Sequence, residues 1–286
     1  MKYLAIALLG TTILGACATP VAEAPEAEAA LVEAPASPAE VSVAETAPEA
    51  EMLVAPAVID VATVSGALAA ADTRSDEDKA RDAGRKPAEV LAYLGLKPGD
   101  TAADFIASGG WYTEVLSIAV GPDGTVYAQN SEAALALRDR AYDKALTARL
   151  AGDRLANVVR KDEELTALTI PAGSVDVALT GLNFHDVYNA YGPEAAVGFL
   201  SAIRGTLKPG GVLGVIDHAG APEADNNELH RIDPALAVAS AEAAGFRVDV
   251  NSDILASAAD DHTKNVFDPA VRGQTDRFIL KLTNPE

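Results

Sequence analysis

Seven short β-rich runs alternate with helix-patterned segments between Thr101 and Leu282, and this alternation restricts the fold more than any other feature. The runs are "TAADFIA" from Thr101, "TVYAQN" from Thr125, "NVVRKD" from Asn157, "VDVALTGLNF" from Val175, "VLGVIDHAG" from Val212, "RVDVNSDIL" from Arg247 and "DRFILKL" from Asp276. The buried strands among them are nearly continuous in apolar residues, which is the pattern of strands covered on both faces. Helical patterns separate them, including "WYTEVLSIAVG", a long segment from Ser131 to Ala151, "PEAAVGFLSAIRGTL" and "DPALAVASAEAAGF". Such an order gives an α/β fold with an open, mostly parallel sheet and helices on both faces. No long helix separates the last two runs, so an antiparallel edge strand is expected there. Aromatic residues make up only 5% of the chain, which leaves Ala, Val and Leu to fill the interior.

The first part of the chain reads differently. Lys2 precedes an apolar run from Leu4 to Leu14, too short to span a bilayer with ease, and the pattern is that of an export signal. The sole cysteine, Cys17, excludes an internal disulfide framework. Leu14-Gly15-Ala16-Cys17 resembles a bacterial lipobox, which implies that Cys17 becomes the lipid-bearing first residue of the mature chain. Ala18 after it favours the outer membrane by the same resemblance. The alternative is an ordinary cleaved signal with an incidental cysteine. Residues 18–71 are rich in Ala, Pro and Glu, with prolines at 20, 25, 35, 38, 48 and 56, nine acidic side chains and no Lys or Arg. Proline forbids a continuous helix there, and like charges favour an extended, solvated tether. The expected organisation is therefore a signal peptide over 1–17, a disordered tether over 18–71 and a folded domain over 72–286. The expected location is the periplasmic side of the cell envelope, attached to the membrane through Cys17. A net charge of -20 with no basic run argues against nucleic acid as a partner.

The stretch "DFIASGGWYTEVLS", Asp104 to Ser117, runs from a strand through a glycine-bearing turn into a helix. Ala107, Ser108, Gly109 and Gly110 are small enough for a ligand to approach the backbone, and a helix starting near Trp111 offers unpaired N–H groups. Taken alone, the turn serves equally well to change chain direction. The segment "PAEVLAYLGLKPGDTAADFIASGGWYTEVLSIAVGPDGTVYAQN" resembles the first βαβ unit of class I S-adenosylmethionine-dependent methyltransferases. "GGWYTE", with "VDVALTGLNFHD", "LKPGGVLGVIDH", "LHRIDP", "AAGFRV", "DDHT", "VFD" and "RGQTDRFILKL", resembles a bacterial group of predicted methyltransferases. The resemblance spans roughly Asp78 to Pro285. It implies a Rossmann-like fold, S-adenosyl-L-methionine as cofactor and a small-molecule methyl acceptor.

Position by position, the resemblance implies cofactor contacts from Asp104, Ala107, Ser108, Gly109 and Gly110. Asp104 matches the acidic position before the superfamily's glycine-rich loop. Ile106 and Ser108 stand at its first two glycine positions, and Gly110 keeps the third. Asn130 ends the second strand where an Asp or Glu takes the ribose hydroxyls. Asp162 falls where an acid meets the adenine amine, or is simply a solvated loop acid.

The four histidines, His185, His218, His230 and His262, all lie in the second half. His185 and His218 follow strands and are the candidate catalytic residues, one of them serving as general base to an acceptor. The alternative is histidines that cap loops, and this is the expectation for His262. No HxH or HxxxH spacing is present, so no metal site is expected. Trp111 and Tyr112 are expected to pack the first helix, and Arg272, Asp276 and Arg277 to form an ion-pair network. Two rival functions remain. A non-catalytic ligand-binding module would account for Ile106, Ser108 and Asn130. A hydrolase is disfavoured, since Ser174, Ser201 and Ser240 lack a Gly-x-Ser-x-Gly elbow.

Overall fold

The computed structural model describes residues 58–249 and 252–285. The expected signal peptide, Cys17 and the tether as far as residue 57 lie outside the described residues. Among the described residues, seven strands form one sheet: β1 (Thr101–Phe105), β2 (Thr125–Asn130), β3 (Val158–Asp162), β4 (Val175–Gly181), β5 (Leu207–His218), β6 (Arg247–Asp249) and β7 (Arg277–Thr283). Their order is β3-β2-β1-β4-β5-β7-β6. The first five run parallel, while β7 is antiparallel to both β5 and β6. This is the Rossmann-like sheet expected from the sequence, with its antiparallel strand at one end.

Among the described residues, ten α-helices surround it. The first five are α1 (Val61–Ala70), α2 (Asp76–Ala80), α3 (Asp82–Arg85), α4 (Pro87–Leu94) and α5 (Trp111–Val120). The others are α6 (Glu132–Leu150), α7 (Phe184–Tyr191), α8 (Pro193–Thr206), α9 (Asn226–Leu229) and α10 (Pro234–Ala243). Successive strand residues point to opposite faces, and each face is covered. Ala102, Val126, Val177 and Leu179 join a core with Leu68 of α1, Leu91 and Leu94 of α4 and Leu116 of α5. Ala103, Ala178, Leu213 and Val215 join a second core with Phe184 of α7, Leu200 and Ile203 of α8 and Ala237 of α10.

Three expectations need correction. The tether boundary at 71 is too late, because α1 belongs to the domain. Asp60 caps it by accepting from Thr63 N at 2.8 Å, and Val64 and Leu68, four residues apart, turn inward. The long helix after Ser131 is broken at Leu137–Arg140, where Arg138, Asp139 and Arg140 take φ of 51, 54 and 58°. The run from Arg247 is, among the described residues, a strand over Arg247–Asp249 that pairs with Lys281, Leu282 and Thr283, and 252–255 are not strand. It lies at the outer edge of the sheet, where one partner strand suffices.

Candidate functional site

The strand order reverses beside β1: β2 and β3 continue on one side and β4 and β5 on the other. Turns leaving β1 and β4 diverge at such a point and open a crevice beyond the carboxyl ends of the strands. A cleft of 1490 Å³ lies there, lined among others by the Ile106–Gly109 turn, Tyr112, His185, His218, His230 and Arg277.

The turn after β1 has an unusual backbone. Ile106, Ser108 and Gly110 take φ of 54, 52 and 80°. These are the three positions at which the resembling superfamily has glycine, and the left-handed conformation is the one glycine enters freely. A β-branched residue is disfavoured there, so the surroundings must hold it. Ile106 N donates to Gln129 Oε1 at 3.2 Å, and Asn183 Nδ2 donates to Ile106 O at 3.1 Å. The second bond ties the turns after β1 and β4 together. Gly109 and Gly110 serve α6: an added Cβ would stand 3.1 Å from Ala145 Cβ and 2.7 Å from Leu146 Cδ1, respectively. Ala107, Ser108 and Gly109 line the cleft. Gly110, expected at the cofactor, faces α6 instead.

Asp104 is buried in the cleft wall, where its Oδ2 accepts from Thr113 Oγ1 at 2.7 Å. Burial pushes its carboxyl up to about 7, against the hydrogen bonds from Thr113 and the charges of Arg85 and Arg149. Asn130 is fully buried and its carboxamide is committed: Oδ1 accepts from Ser108 N and Nδ2 donates to Ser108 O. It fastens the turn rather than standing open to a ribose. Asp162 is also placed elsewhere. Its two oxygens accept from Arg160 Nε at 2.9 and 2.8 Å on β3, away from the cleft lining.

Three of the four histidines converge. His185 lies in the first turn of α7, and both its backbone N and its Nδ1 meet the fully buried Asp217 carboxylate at 2.7 Å. Burial would lower the His185 pKa, but the Asp217 charge and the hydrogen bonds to Asp186 and Asp217 hold it up at about 10. His218 ends β5 with Nδ1 2.8 Å from Thr275 Oγ1, and burial pushes its pKa down to about 4. The His185 ring stands 5.9 Å from that of His218 and 5.7 Å from that of His230. His230 follows α9 and was not expected among the site residues. No local spacing links it to His185; the loop after β5 brings it there. His262 meets Asp276 at 2.9 Å outside this group, in keeping with a loop histidine.

Arginines also line the cleft, Arg85 and Arg277 among them. The Arg85 guanidinium stands over the Trp111 ring at 4.6 Å, while Arg277 donates to Gly84 O at 2.7 Å and Thr275 O at 3.3 Å. Among the described residues the expected ion-pair network does not form at Arg277; Asp276 instead accepts from Ser257 N and meets His262. Burial lowers the pKa of both guanidinium groups. Trp111 and Tyr112 are buried in the core as expected, and they also border the cleft. Arg85 had no sequence signal beyond its place before Pro87. At the cleft mouth Leu137, Tyr191 and Phe267 are exposed apolar side chains.

No protein-family model matches the chain, and no curated protein matches it. Solved structures do. A SAM-dependent methyltransferase from Aquifex aeolicus is 20% identical with a TM-score of 0.52, covering 79% of this chain and 98% of the other. A protein from Galdieria sulphuraria, assigned as a sarcosine dimethylglycine methyltransferase, is 14% identical with a TM-score of 0.52, covering 73% and 88%. A Haloferax volcanii protein assigned as a methyltransferase, from a complex with the Trm112 methyltransferase activator, is 17% identical with a TM-score of 0.50, covering 73% and 93%. At these identities the likeness is one of fold: the chain has the Rossmann-like architecture on which SAM-dependent methyltransferases are built.

Proposed function

We propose that the domain binds S-adenosylmethionine in the switch-point cleft and catalyses methyl transfer to a small acceptor with an apolar part. The observation that carries this reading is the turn after β1, whose three left-handed residues reproduce a glycine-loop backbone at the point where the sheet order reverses. The cofactor supplies an electrophilic methyl group on a sulfonium. Ala107, Ser108 and Gly109 leave room along its length because their side chains are small, with Asp104 in the wall behind them. Arg85 and Arg277 offer positive charge to its carboxylate end. Asn130 and Gln129 keep the turn in shape by hydrogen bonding.

On the acceptor side, His218 and His185 face the same cleft. Thr275 fixes the His218 ring, which accepts the proton released when an acceptor O–H or N–H is methylated. Asp217 binds both the backbone and the ring of His185 and so acts as its positioning residue. Exposed Tyr191 and Phe267 at the mouth suit an acceptor with an apolar or aromatic portion. Attachment to the outer membrane through a lipid on Cys17 belongs to the same proposal and would hold this chemistry at the envelope.

Calorimetry on the full chain with S-adenosylmethionine and its demethylated product tests the reading. Binding of both in a one-to-one ratio is expected; no binding of either at millimolar ligand overturns it. A non-catalytic binding module on this fold is the second reading, favoured by the commitment of the Asn130 amide to Ser108. Binding of a different ligand recovered by mass spectrometry from the native protein would support it.

A further inference from the structure

We propose that His185, Asp186 and His230 form a binding site for a divalent first-row transition ion of the zinc class. The inference is independent of methyl transfer and rests on the placement of three donors. His185 Nε2 lies 3.3 Å from Asp186 Oδ1, and His230 Nδ1 lies 3.4 Å from the same oxygen. All three donor atoms are within 4.8 Å of one another. Ligand atoms about 2.0–2.2 Å from a tetrahedral ion stand about 3.3 Å apart, which matches the two distances to Asp186.

The support behind these donors is what a metal-binding histidine requires. A ligating imidazole generally gives its second nitrogen to a carboxylate, which fixes the ring and its tautomer. His185 does so: its Nδ1 is 2.7 Å from Asp217 Oδ1, leaving Nε2 directed at Asp186. The Asp217 carboxylate also accepts from the His185 backbone N, so the ring and the start of α7 are held as one piece.

His230 is brought in by a strained backbone. It ends α9 with φ of 53°, a conformation uncommon for a residue other than glycine. Side-chain bonds fix that end to α7, with Asn189 Nδ2 donating to Asn226 O at 3.3 Å and to Arg231 O at 3.0 Å. Arg231 is itself buried, with Nη1 2.8 Å from Asp260 Oδ2. Strain maintained by a rigid surround is characteristic of functional positions. Two imidazoles and one carboxylate make the donor set of three-ligand zinc sites that keep a further position open to water or substrate. All three residues line the cleft, so an open position would be reached from it.

The experiment is zinc titration by calorimetry of the full chain after dialysis against a chelator. Uptake of one Zn²⁺ per chain is expected. Asp186→Asn and His230→Ala replace side chains that are 62% and 40% exposed, so the fold should tolerate both, as thermal melting will verify. Each should weaken uptake by about tenfold or more, while His262→Ala, which removes a histidine paired with Asp276 rather than with these donors, should leave it unchanged. Absence of stoichiometric uptake by the parent chain overturns the proposal. So does uptake that Asp186→Asn and His230→Ala both leave unaltered, or that His262→Ala abolishes.

Discussion

Asn130 and Ser108 exchange two hydrogen bonds: Asn130 Oδ1 accepts from Ser108 N at 2.8 Å, and Asn130 Nδ2 donates to Ser108 O at 3.2 Å. The end of β2 thus holds the turn after β1 much as another strand would. A carboxylate at this position could take the first bond but would set its negative charge against the Ser108 carbonyl in the second. Asn130→Asp should therefore destabilise the domain by about 1–3 kcal/mol, the cost of leaving a buried polar group unpaired. Urea denaturation of the two chains measures it. An aspartate variant as stable as the parent would show that the exchange does not hold the turn.

Asp104 gives the domain a pH dependence of unusual sign. Its pKa is about 7 when folded, against 3.8 free, because burial penalises its charge. Below about pH 4 the group is protonated in both states and contributes nothing. Between 4 and 7 the unfolded chain loses this proton while the folded one keeps it, so stability falls as pH rises. The full shift amounts to at most about 4 kcal/mol, and the slope disappears above 7. Asp104→Asn should remove that slope. Denaturation of both chains from pH 4 to 8 reads the difference directly, and parallel curves would contradict the assignment.

Arg85 and Arg277 are predicted to recognise the carboxylate end of the cofactor. Arg85→Met and Arg277→Met keep much of the packing and remove the charge. Each should weaken S-adenosylmethionine binding by about ten- to a hundredfold, the equivalent of one charged hydrogen bond. Methylthioadenosine lacks the amino-acid end and should lose less than about threefold. Calorimetry with both ligands separates this role from a general disturbance of the cleft, which would weaken them alike.

The sheet was legible because strands buried on both faces must be apolar along their whole length. "VDVAL" and "VLGVI" have few other uses in a chain of this composition. His218 could be placed at the site for the same reason: it ends a recognisable strand. The structural role of Asn130 was hidden because the residue type reveals a hydrogen-bonding capacity but not the partner that takes it. Arg85 and His230 were hidden because packing between distant parts of the chain brings them to the cleft, Arg85 from α3 ahead of the first strand and His230 from the connection after β5, and no local period records such packing. The left-handed turn was only half legible. Gly110 announces such a backbone, whereas Ile106 and Ser108 conceal it, since the bonds from Ile106 N to Gln129 and Ser108 N to Asn130 hold a conformation their own side chains disfavour.

Composition concealed α1 in a different way. "VATVSGALAA" continues the Ala- and Val-rich character of the preceding proline-bearing segment, and its inward side chains are only two, Val64 and Leu68. Leu68 is 1% exposed in the core with Leu91 and Leu116. Leu68→Ala should cost about 2–5 kcal/mol, as core truncations do. Gly66 lies on the outer face, and an added Cβ there would meet no atom within 4 Å. Gly66→Ala should raise stability by about 0.5–1 kcal/mol, because alanine loses less backbone freedom in a helix. The two substitutions move in opposite directions only if the segment is helical and docked. An extended tether would make both silent, and equal denaturation midpoints for the two variants and the parent would exclude α1 from the folded domain.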